Sequence, residues 1–352
     1  MRSFAGTLLE VSVGQESILL IDEPEAFLHP PQARMLGRML VSNNLQRQII
    51  VATHSGDVLR GVLDANAPTV RVVRMQRDDD INVIRELDSE SLGKLWIDPL
   101  LRFSNILDSI FHERVVLAEA DTDCRFYAAI SDACSDENAD QIRRPDTMFV
   151  HCNGKDRMPR VLRALRQIGL DVRVVVDFDV LNDENPLRGI VEAASGNWPD
   201  IEKEWRRVKA AVDEKKPELN SQEVRSEIEK ELAHITELSF PVRARRAIEK
   251  ILRRSSPWSL AKLVGKAYIP GGDAYQAVDR LLEALRRLRI FVVEVGELES
   301  FVKSVGNHGP AWVNTVLQKD LRTDEELSEA RRFVALFAGP TSHRGEVAPP
   351  TS

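Results

Sequence analysis

Short apolar runs alternate with amphipathic segments over the first part of the chain. The runs at 17–21 and 48–52 have the length and aliphatic composition of buried parallel strands, and the pattern between them predicts a helix near 31–41. Residues 70–75 and 81–87, on either side of a polar turn, predict a β-hairpin. Strands that alternate with helices are typical of an α/β fold.

The same alternation begins again after a helix predicted at 99–111. The predicted elements of this second stretch are strands at 114–118, 148–152 and 172–176, and helices at 123–133 and 158–168. Their order repeats the βαβ unit, in which helices join the parallel strands of one sheet. Residues 193–289 have a helical and charged pattern, and a strand predicted at 290–295 returns to the sheet.

Length and composition narrow the class of protein. At about 100 to 200 residues per domain, a chain of 352 residues predicts two or three domains, and 43% hydrophobic with 29% charged residues excludes a fibrous or wholly disordered chain. No apolar run approaches about 18 residues and the first residues lack a signal-peptide pattern, so we expect a cytoplasmic protein that does not contact a membrane. Cys124, Cys134 and Cys152 include no C-x-x-C pair, which argues against a disulfide framework and a zinc site.

The charge of the chain is distributed unevenly. The net charge is −7, but residues 241–290 contain twelve lysines and arginines against four acids, a local charge of +8 that leaves −15 on the remainder. A basic segment can follow the phosphates of a nucleic acid, whereas the acidic remainder must bind cations or stay away from the polyanion. We therefore expect the segment 241–290 to contact a nucleic-acid backbone; a solvated helix face is the alternative.

Acidic residues directly follow the first predicted strand. Asp22 and Glu23 come after the aliphatic run 18–21, which places both carboxylates at the carboxyl edge of a parallel sheet, where α/β proteins bind ligands. Asp22 is suited to hold Mg²⁺ through water, and Glu23 to orient or deprotonate a water that attacks a γ-phosphate. His54 follows the second strand and is placed to reach the same phosphate.

These two segments resemble the Walker B and switch-histidine segments in the ABC-type ATPase heads of OLD-family nucleases. The resemblance implies that Asp22 and Glu23 are the Walker B pair and that His54 is the switch histidine. The chain contains no G-x-x-x-x-G-K-[ST] motif, so the loop that cradles the phosphates of a nucleotide is missing. We therefore interpret residues 1–97 as the C-terminal part of an ATPase head from a longer protein, and expect ATP to bind only in a full-length form.

A second set of acids follows two further predicted strands. Glu119 comes at the end of strand 114–118 with Asp123 four residues on, and Asp177 and Asp179 come directly after strand 172–176. Residues i and i+2 of a strand face the same way, so Asp177 and Asp179 can share one divalent ion or bridge two. Carboxylates at this density repel one another unless Mg²⁺ or Mn²⁺ lies among them. A solvated acidic sheet edge is the alternative.

This spacing resembles the Toprim fold of topoisomerases, primases and OLD-family nucleases, in which a glutamate and a D-x-D pair bind metal. The match covers about residues 113–183. The resemblance implies that Glu119, Asp177 and Asp179 are catalytic metal ligands and that Asp123 is a supporting metal-binding acid.

Two neighbouring positions strengthen the resemblance and one departs from it. Gly154 and Lys155 precede a predicted helix, as they do in Toprim relatives. Ala120 stands where that family commonly has glycine, so the chain after Glu119 must turn with backbone angles that a non-glycine residue adopts.

A third acidic stretch follows the strand predicted at 290–295. Glu297 resembles the further acid of the two-metal Toprim centre of OLD nucleases, with Glu299 as its substitute. Those nucleases also place a basic residue near the scissile phosphate, and the resemblance makes Lys303, the nearest in sequence, the first candidate for that catalytic role and Lys266 its rival.

The sequence therefore predicts an α/β protein in which a C-terminal fragment of an ATPase head precedes a Toprim domain with a helical insertion. The expected order is the ATPase part (1–97), a linker helix (98–112), the first part of the Toprim domain (113–192), a basic helical insertion (193–289), the last Toprim part (290–338) and a disordered tail (339–352). The resemblance implies a DNA endonuclease that uses two Mg²⁺ or Mn²⁺ ions, in a homodimer or larger assembly. The alternatives are a non-catalytic or regulatory ATPase-like remnant, and an ATPase whose P-loop lies on another polypeptide.

Overall fold

The protein is described here from a computed structural model. The structure describes residues 6, 9–11, 13, 16–42, 47–65, 70–78, 80–87, 96–97, 105–135, 145–167, 169–215, 221–233, 235, 239–253 and 256–339. The chain divides into two compact units, of which unit 1 comprises residues 1–115 and 164–171, and unit 2 comprises residues 116–163 and 172–352. Within the part of the chain that is described, no helix has both the length and the apolar composition needed to cross a bilayer.

Unit 1 begins with the predicted parallel strands. Strand β1 (Ile18–Asp22) pairs in parallel with β2 (Gln48–Ala52), and helix α1 (Pro30–Ser42) connects them. Helix α2 (Gly56–Asp64) follows β2 and packs against α1. Ser55 caps α2, since its side chain accepts a hydrogen bond from the Val58 amide. The predicted strand–helix–strand order is confirmed.

The two strands are buried on one face only, where the sequence predicted burial on both. Leu19, Ile21, Ile49 and Val51 pack against a small core on the α1 side. The alternate side chains of Ile18, Leu20 and Ile50 are 55%, 72% and 51% exposed. Side chains alternate between the two faces of a strand, and no described element of unit 1 covers the second face. The aliphatic runs therefore predicted the positions of the two strands correctly, but they did not predict that one face of each strand is exposed.

The predicted hairpin is confirmed, whereas the predicted linker helix is not. Strands β3 (Val72–Asp78) and β4 (Ile81–Leu87) pair antiparallel. The linker contains a 3-10 helix at Asn105–Phe111 in place of an α-helix over 99–111, and residues 98–104 lie outside the described part. Arg74 of β3 donates hydrogen bonds to the carbonyls of Ile110 and His112 at 2.9 and 2.7 Å. These carbonyls are satisfied by a side chain and not by a further helical turn.

The second sheet has four strands in the order β6-β5-β7-β8. These strands are β5 (Arg114–Ala118), β6 (Thr147–His151), β7 (Asp171–Val176) and β8 (Ile290–Val292). β7 and β8 pair in parallel with Val174 opposite Ile290. β8 ends at Val292, three residues before the predicted end, because the chain turns at Gly296, whose φ is +119° and whose amide donates to the Val293 carbonyl.

Helices α3 (Asp121–Ser135), α11 (Pro310–Val316) and α12 (Ser328–Ala338) pack with the sheet to form the main core of unit 2. Two further helices precede the insertion, α4 (Met158–Gln167), whose last residues belong to unit 1, and α5 (Glu184–Ala193). Phe126 of α3 lies 5.3 Å from Trp312 of α11, and Tyr127 lies 5.4 Å from Phe337 of α12, measured between ring centroids. Burying each such ring stabilises the fold by about 1.5 to 3 kcal/mol. This core fixes α3, which begins directly after Glu119 and Ala120.

The predicted helical insertion is confirmed. Its helices are α6 (Trp198–Asp213), α7 (Ser221–Ala233), α8 (Val242–Arg253), α9 (Pro257–Val264) and α10 (Asp273–Arg287). Trp198, Trp205 and Trp258 are all buried, so they anchor the insertion as core residues. The indole of Trp258 donates to Asp213 at 2.7 Å, which joins α9 to the end of α6.

Candidate metal centre

The strand ends of the second sheet bring three predicted acids together. β5 and β7 are neighbours in the sheet, so Glu119 after β5 and Asp177 after β7 lie at the same edge. The Glu119 carboxylate accepts a hydrogen bond from the Asp177 amide at 3.3 Å. Oxygen atoms of Glu119, Asp177 and Asp179 all lie within 4.8 Å of one another, and we call these three residues the primary acidic cluster.

The backbone conformation that brings Asp177 and Asp179 together differs from the predicted one. β7 ends at Val176, and Asp179 lies in a 3-10 helix, Phe178–Asn182, and not in an extended strand. The buried Phe178 side chain and a 2.7 Å hydrogen bond from its amide to the Gly296 carbonyl fix this turn. The expected pairing of i and i+2 side chains on a strand was therefore wrong in its geometry, although both carboxylates face Glu119.

Burial and like charge make the primary acidic cluster costly without cations. Burial raises the pKa of Glu119, and the charge of Asp179 raises it further. Burial also raises the pKa of Asp177 well above its usual value, with a further contribution from Glu119. Asp179 Oδ1 is buried and accepts no hydrogen bond of ordinary geometry among the described residues, although Lys155 Nζ lies 3.3 Å from it. A buried group of carboxylate oxygens that repel one another fits Mg²⁺ or Mn²⁺, which prefer oxygen ligands.

A second acidic cluster follows β8 and consists of Glu297, Glu299 and His308, whose ligand atoms also lie within 4.8 Å of one another. Burial raises the pKa of Glu297, and the charges of Glu299 and Asp179 raise it further. The structure thus brings the predicted Glu297 and its substitute Glu299 together. It adds His308, whose ligand atom lies in the same group.

Asp123 lies beside both acidic clusters at the start of α3. Its carboxylate accepts a hydrogen bond from the Ala120 amide at 2.9 Å. Burial raises the pKa of Asp123, and the negative charge of Glu299 contributes to the rise. Ala120 does not have a positive φ, so the departure from glycine at this position leaves the turn after Glu119 unstrained.

The lysines at the primary acidic cluster are not the predicted ones. Lys262 Nζ lies 3.1 Å from Asp177 and 3.4 Å from Asp179, and Lys155 Nζ lies 3.3 Å from Asp179. Lys303 is exposed, and Lys266 pairs with Asp279 and Glu294. By distance, Lys262 and Lys155 are therefore the basic side chains closest to the primary acidic cluster among these four lysines. The Gly-Lys pair before α4 was a usable signal for Lys155, whereas the sequence held none for Lys262.

Unit 1 assembles the acids and the histidine that follow β1 and β2. His54 Nδ1 lies 3.2 Å from Glu23, and the Glu23 amide donates to the Ala52 carbonyl at 2.9 Å. Glu23 has a φ of +43°, an uncommon conformation for a residue with a side chain. Asp22 and Glu23 are both exposed. Two of the predicted site residues, Glu23 and His54, therefore contact each other at the carboxyl edge of the parallel strands.

Comparison with known families covers parts of both units. Residues 3–60 match an AAA domain family whose description names the AbiEii toxin of a Type IV TA system. Residues 110–179 match the TOPRIM domain of proteins like the overcoming lysogenization defect protein. The chain joins an AAA-type ATPase segment to an OLD-like TOPRIM domain. All three residues of the primary acidic cluster lie within the TOPRIM match.

One curated relative extends the similarity. The Old nuclease of Escherichia phage P2 is 25% identical over 174 residues, which cover 47% of this chain and 28% of that protein. The chain therefore spans well under half the length of this relative. The second acidic cluster and Lys262 lie beyond the end of the TOPRIM match, so that match does not assign them to the centre.

Proposed function

We propose that the OLD-like TOPRIM domain is a metal-dependent DNA endonuclease that hydrolyses phosphodiester bonds by a two-metal mechanism. The observation that carries the proposal is the convergence of Glu119, Asp177 and Asp179 from two adjacent strand ends into one group of oxygens. In this proposal they hold one cation, and Glu297 with Asp123 contributes to a second. When bound, Mg²⁺ or Mn²⁺ supplies an activated water and neutralises charge on the leaving oxygen.

The residues of the chain then have separate tasks. The primary acidic cluster orients its oxygens toward a common point, because the Asp177 amide holds Glu119 in place. The ammonium of Lys155, which contacts Asp179, provides positive charge at the edge of the centre, where a phosphate would approach. Lys303 stays a prediction for the basic residue near the scissile phosphate.

Contacts with DNA are assigned to the basic segment, chiefly to α8. Arg243, Arg245 and Arg246 are exposed on this helix. Within α8 Arg245 pairs with Glu249, and elsewhere in the segment Arg280 pairs with Glu204 and Arg286 with Glu294. α8 contains five lysines and arginines against one acid, so it offers a net positive charge to phosphates, and contacts of this kind hold the DNA backbone without reading its sequence.

The ATPase segment has a regulatory role in this proposal. The Glu23–His54 pair supports a site that senses a nucleotide phosphate, but this chain contains no phosphate-cradling P-loop motif. We propose that ATP binds only in a full-length form in which that loop is present. A non-catalytic ATPase-like remnant is the second candidate, because the paired acid and histidine persist without the loop.

Cleavage of supercoiled plasmid tests the proposed nuclease. We expect nicking that requires Mg²⁺ or Mn²⁺, and a rate at least about a hundredfold lower in Asp177→Ala and in Asp179→Ala, because each loses a carboxylate that contributes several kcal/mol through the metal. Asp200→Ala, which removes an exposed carboxylate at the start of α6, is the control and should keep the wild-type rate. Cleavage that persists in both centre variants would contradict the proposal. Metal binding without any cleavage would favour the non-catalytic remnant.

A further inference from the structure

Lys262 reaches the TOPRIM centre from the helical insertion, far from the acids in sequence. Its Nζ lies 3.1 Å from Asp177 Oδ2 and 3.4 Å from Asp179 Oδ2. The side chains of these three residues are 34%, 19% and 25% exposed, so the contacts are largely shielded from water. The ammonium thus contacts oxygens that a divalent ion also requires.

The backbone around Lys262 is held by close contacts. Gly296, with a φ of +119°, passes so near α9 that a Cβ placed on it would lie 2.1 Å from the Lys262 carbonyl. The Ser300 hydroxyl donates to the Leu263 carbonyl at 3.0 Å, and the Lys266 amide donates to the Glu294 carbonyl at 2.8 Å. The end of α9 is therefore fixed to the segment that carries Glu297. Lys262 does not belong to a freely moving surface helix.

The charges of the centre explain why an ammonium is stable there. The primary acidic cluster contributes up to three negative charges, and Lys262 and Lys155 contribute two positive ones. The two carboxylates that contact Lys262, those of Asp177 and Asp179, carry the charge opposite to its ammonium and stabilise it in the centre.

We propose that Lys262 is the internal counter-ion of the metal-free centre and competes with the divalent cation for Asp177 and Asp179. A metal that binds these carboxylates must break the Lys262 ion pairs or tolerate a positive charge close by, and both lower its affinity. The helical insertion thereby sets the metal affinity of the TOPRIM domain. This inference rests on the proposed function, since it concerns the same carboxylates.

Titration calorimetry with Mn²⁺ tests the competition. Lys262→Met removes the charge and keeps an unbranched side chain, and we expect it to lower the Kd for Mn²⁺ at least about tenfold, or about 1.4 kcal/mol. Lys266→Met is the matched control, because Lys266 is four residues away but pairs with Asp279 and Glu294, and its Kd should equal that of the wild type. Lys262→Arg keeps the charge and should not bind Mn²⁺ more tightly than the wild type.

Thermal unfolding in chelator gives a readout without metal. Lys262→Met should have a lower Tm than the wild type in chelator, since its carboxylates lose their counter-ion, and a larger rise of Tm on adding Mn²⁺. If the variant does not fold in chelator, Mn²⁺ should restore its native circular dichroism spectrum, and a failure to do so would overturn the inference.

The outcomes also separate this inference from the proposed function. If the wild type binds Mn²⁺ and the Kd of Lys262→Met is equal to or higher than the wild-type Kd, the counter-ion role alone is overturned. If neither the wild type nor Lys262→Met binds Mn²⁺ at millimolar concentrations, the proposed metal-dependent function fails, and the inference fails with it.

Discussion

Asp64, at the end of α2, stabilises the folded state of unit 1 through two ion pairs. Arg34 and Arg38 both donate to its carboxylate, at 2.8 and 2.7 Å. Burial alone would raise the pKa of Asp64, but the two guanidinium groups outweigh it and lower that pKa to about 2. Because the folded-state pKa is depressed, the stabilisation is fully present above the unfolded pKa of about 3.9 and is lost as the pH falls through about 2.

Substitution of Asp64 should therefore have an effect that depends on pH. We expect Asp64→Asn to lower the free energy of unfolding of unit 1 by about 2 kcal/mol at pH 7, and by about half as much at pH 3. Urea unfolding followed by circular dichroism at the two pH values measures the difference. A loss that is equal at pH 3 and pH 7 would show that the charge of Asp64 is not its cause.

At the scale of single residues, the sequence indicated the acids of the primary acidic cluster but held no signal for Lys262. Glu119 and Asp177 were predictable because carboxyl ends of neighbouring parallel strands share one edge of a sheet. Lys262 was not, because it lies 83 residues from Asp179 and reaches it only through the packing of α9. A lysine in a basic helix carries no periodic signal that separates an inward position from a solvated one.

Among the elements, the largest departures from prediction occur where tertiary contacts override local pattern. β8 is short because the chain turns at Gly296, and the described part of the linker forms a 3-10 helix at the end of which Arg74 binds the carbonyls of Ile110 and His112. Apolar runs identified β1 and β2, yet only one face of each is covered by described residues. Periodicity predicts that a strand exists and leaves open what packs against it.

The turn at Gly296 is the contact between elements that most directly supports the centre. Gly296→Ala would place a methyl group against the Lys262 carbonyl at a backbone angle that disfavours side chains. Gly272→Ala is the matched control, since Gly272 also has a positive φ, +83°, but has nothing within 4 Å of the added atom. We expect the control to cost about 1 to 2 kcal/mol from backbone strain, and Gly296→Ala to cost about 3 kcal/mol or more.

Urea unfolding followed by tryptophan fluorescence compares the two glycine variants, since Trp258 and Trp312 are both buried in unit 2. The difference between the variants isolates the steric contact from the backbone strain that they share. Equal losses of stability would mean that Gly296 is needed only for its backbone angle and that α9 can yield without cost.

Over the whole molecule, charge is unevenly distributed between one basic segment and an acidic remainder. The chain carries −7, with +8 in residues 241–290 and −15 elsewhere. That count could be read from the sequence, but its distribution could not, because ion pairs with distant acids such as Glu204 and Glu294 depend on the fold. The structure leaves α8 as the exposed basic helix, and DNA binding should depend on it more than on the remaining cations.

The salt dependence of DNA binding tests this distribution. The logarithm of the binding constant falls linearly with the logarithm of salt concentration, with a slope of about −0.9 for each phosphate contact on duplex DNA. Replacing Arg243 and Arg246 together by glutamine should therefore reduce the magnitude of that slope by nearly 2 if each contacts one phosphate. Fluorescence anisotropy of a labelled duplex, measured in chelator so that no strand is cut, gives the slope.

The control for this measurement removes two arginines of α6, where each is already paired with an acid. Arg206 contacts Glu202 at 2.5 Å and Arg207 contacts Glu204 at 3.3 Å. Glutamine at both positions removes the same formal charge from the molecule as the α8 variant does. We expect the salt slope of this control to match the wild type, because neither arginine lies on α8 and each is already paired with an acid. If the two double variants reduce the slope equally, net charge and not α8 governs DNA binding.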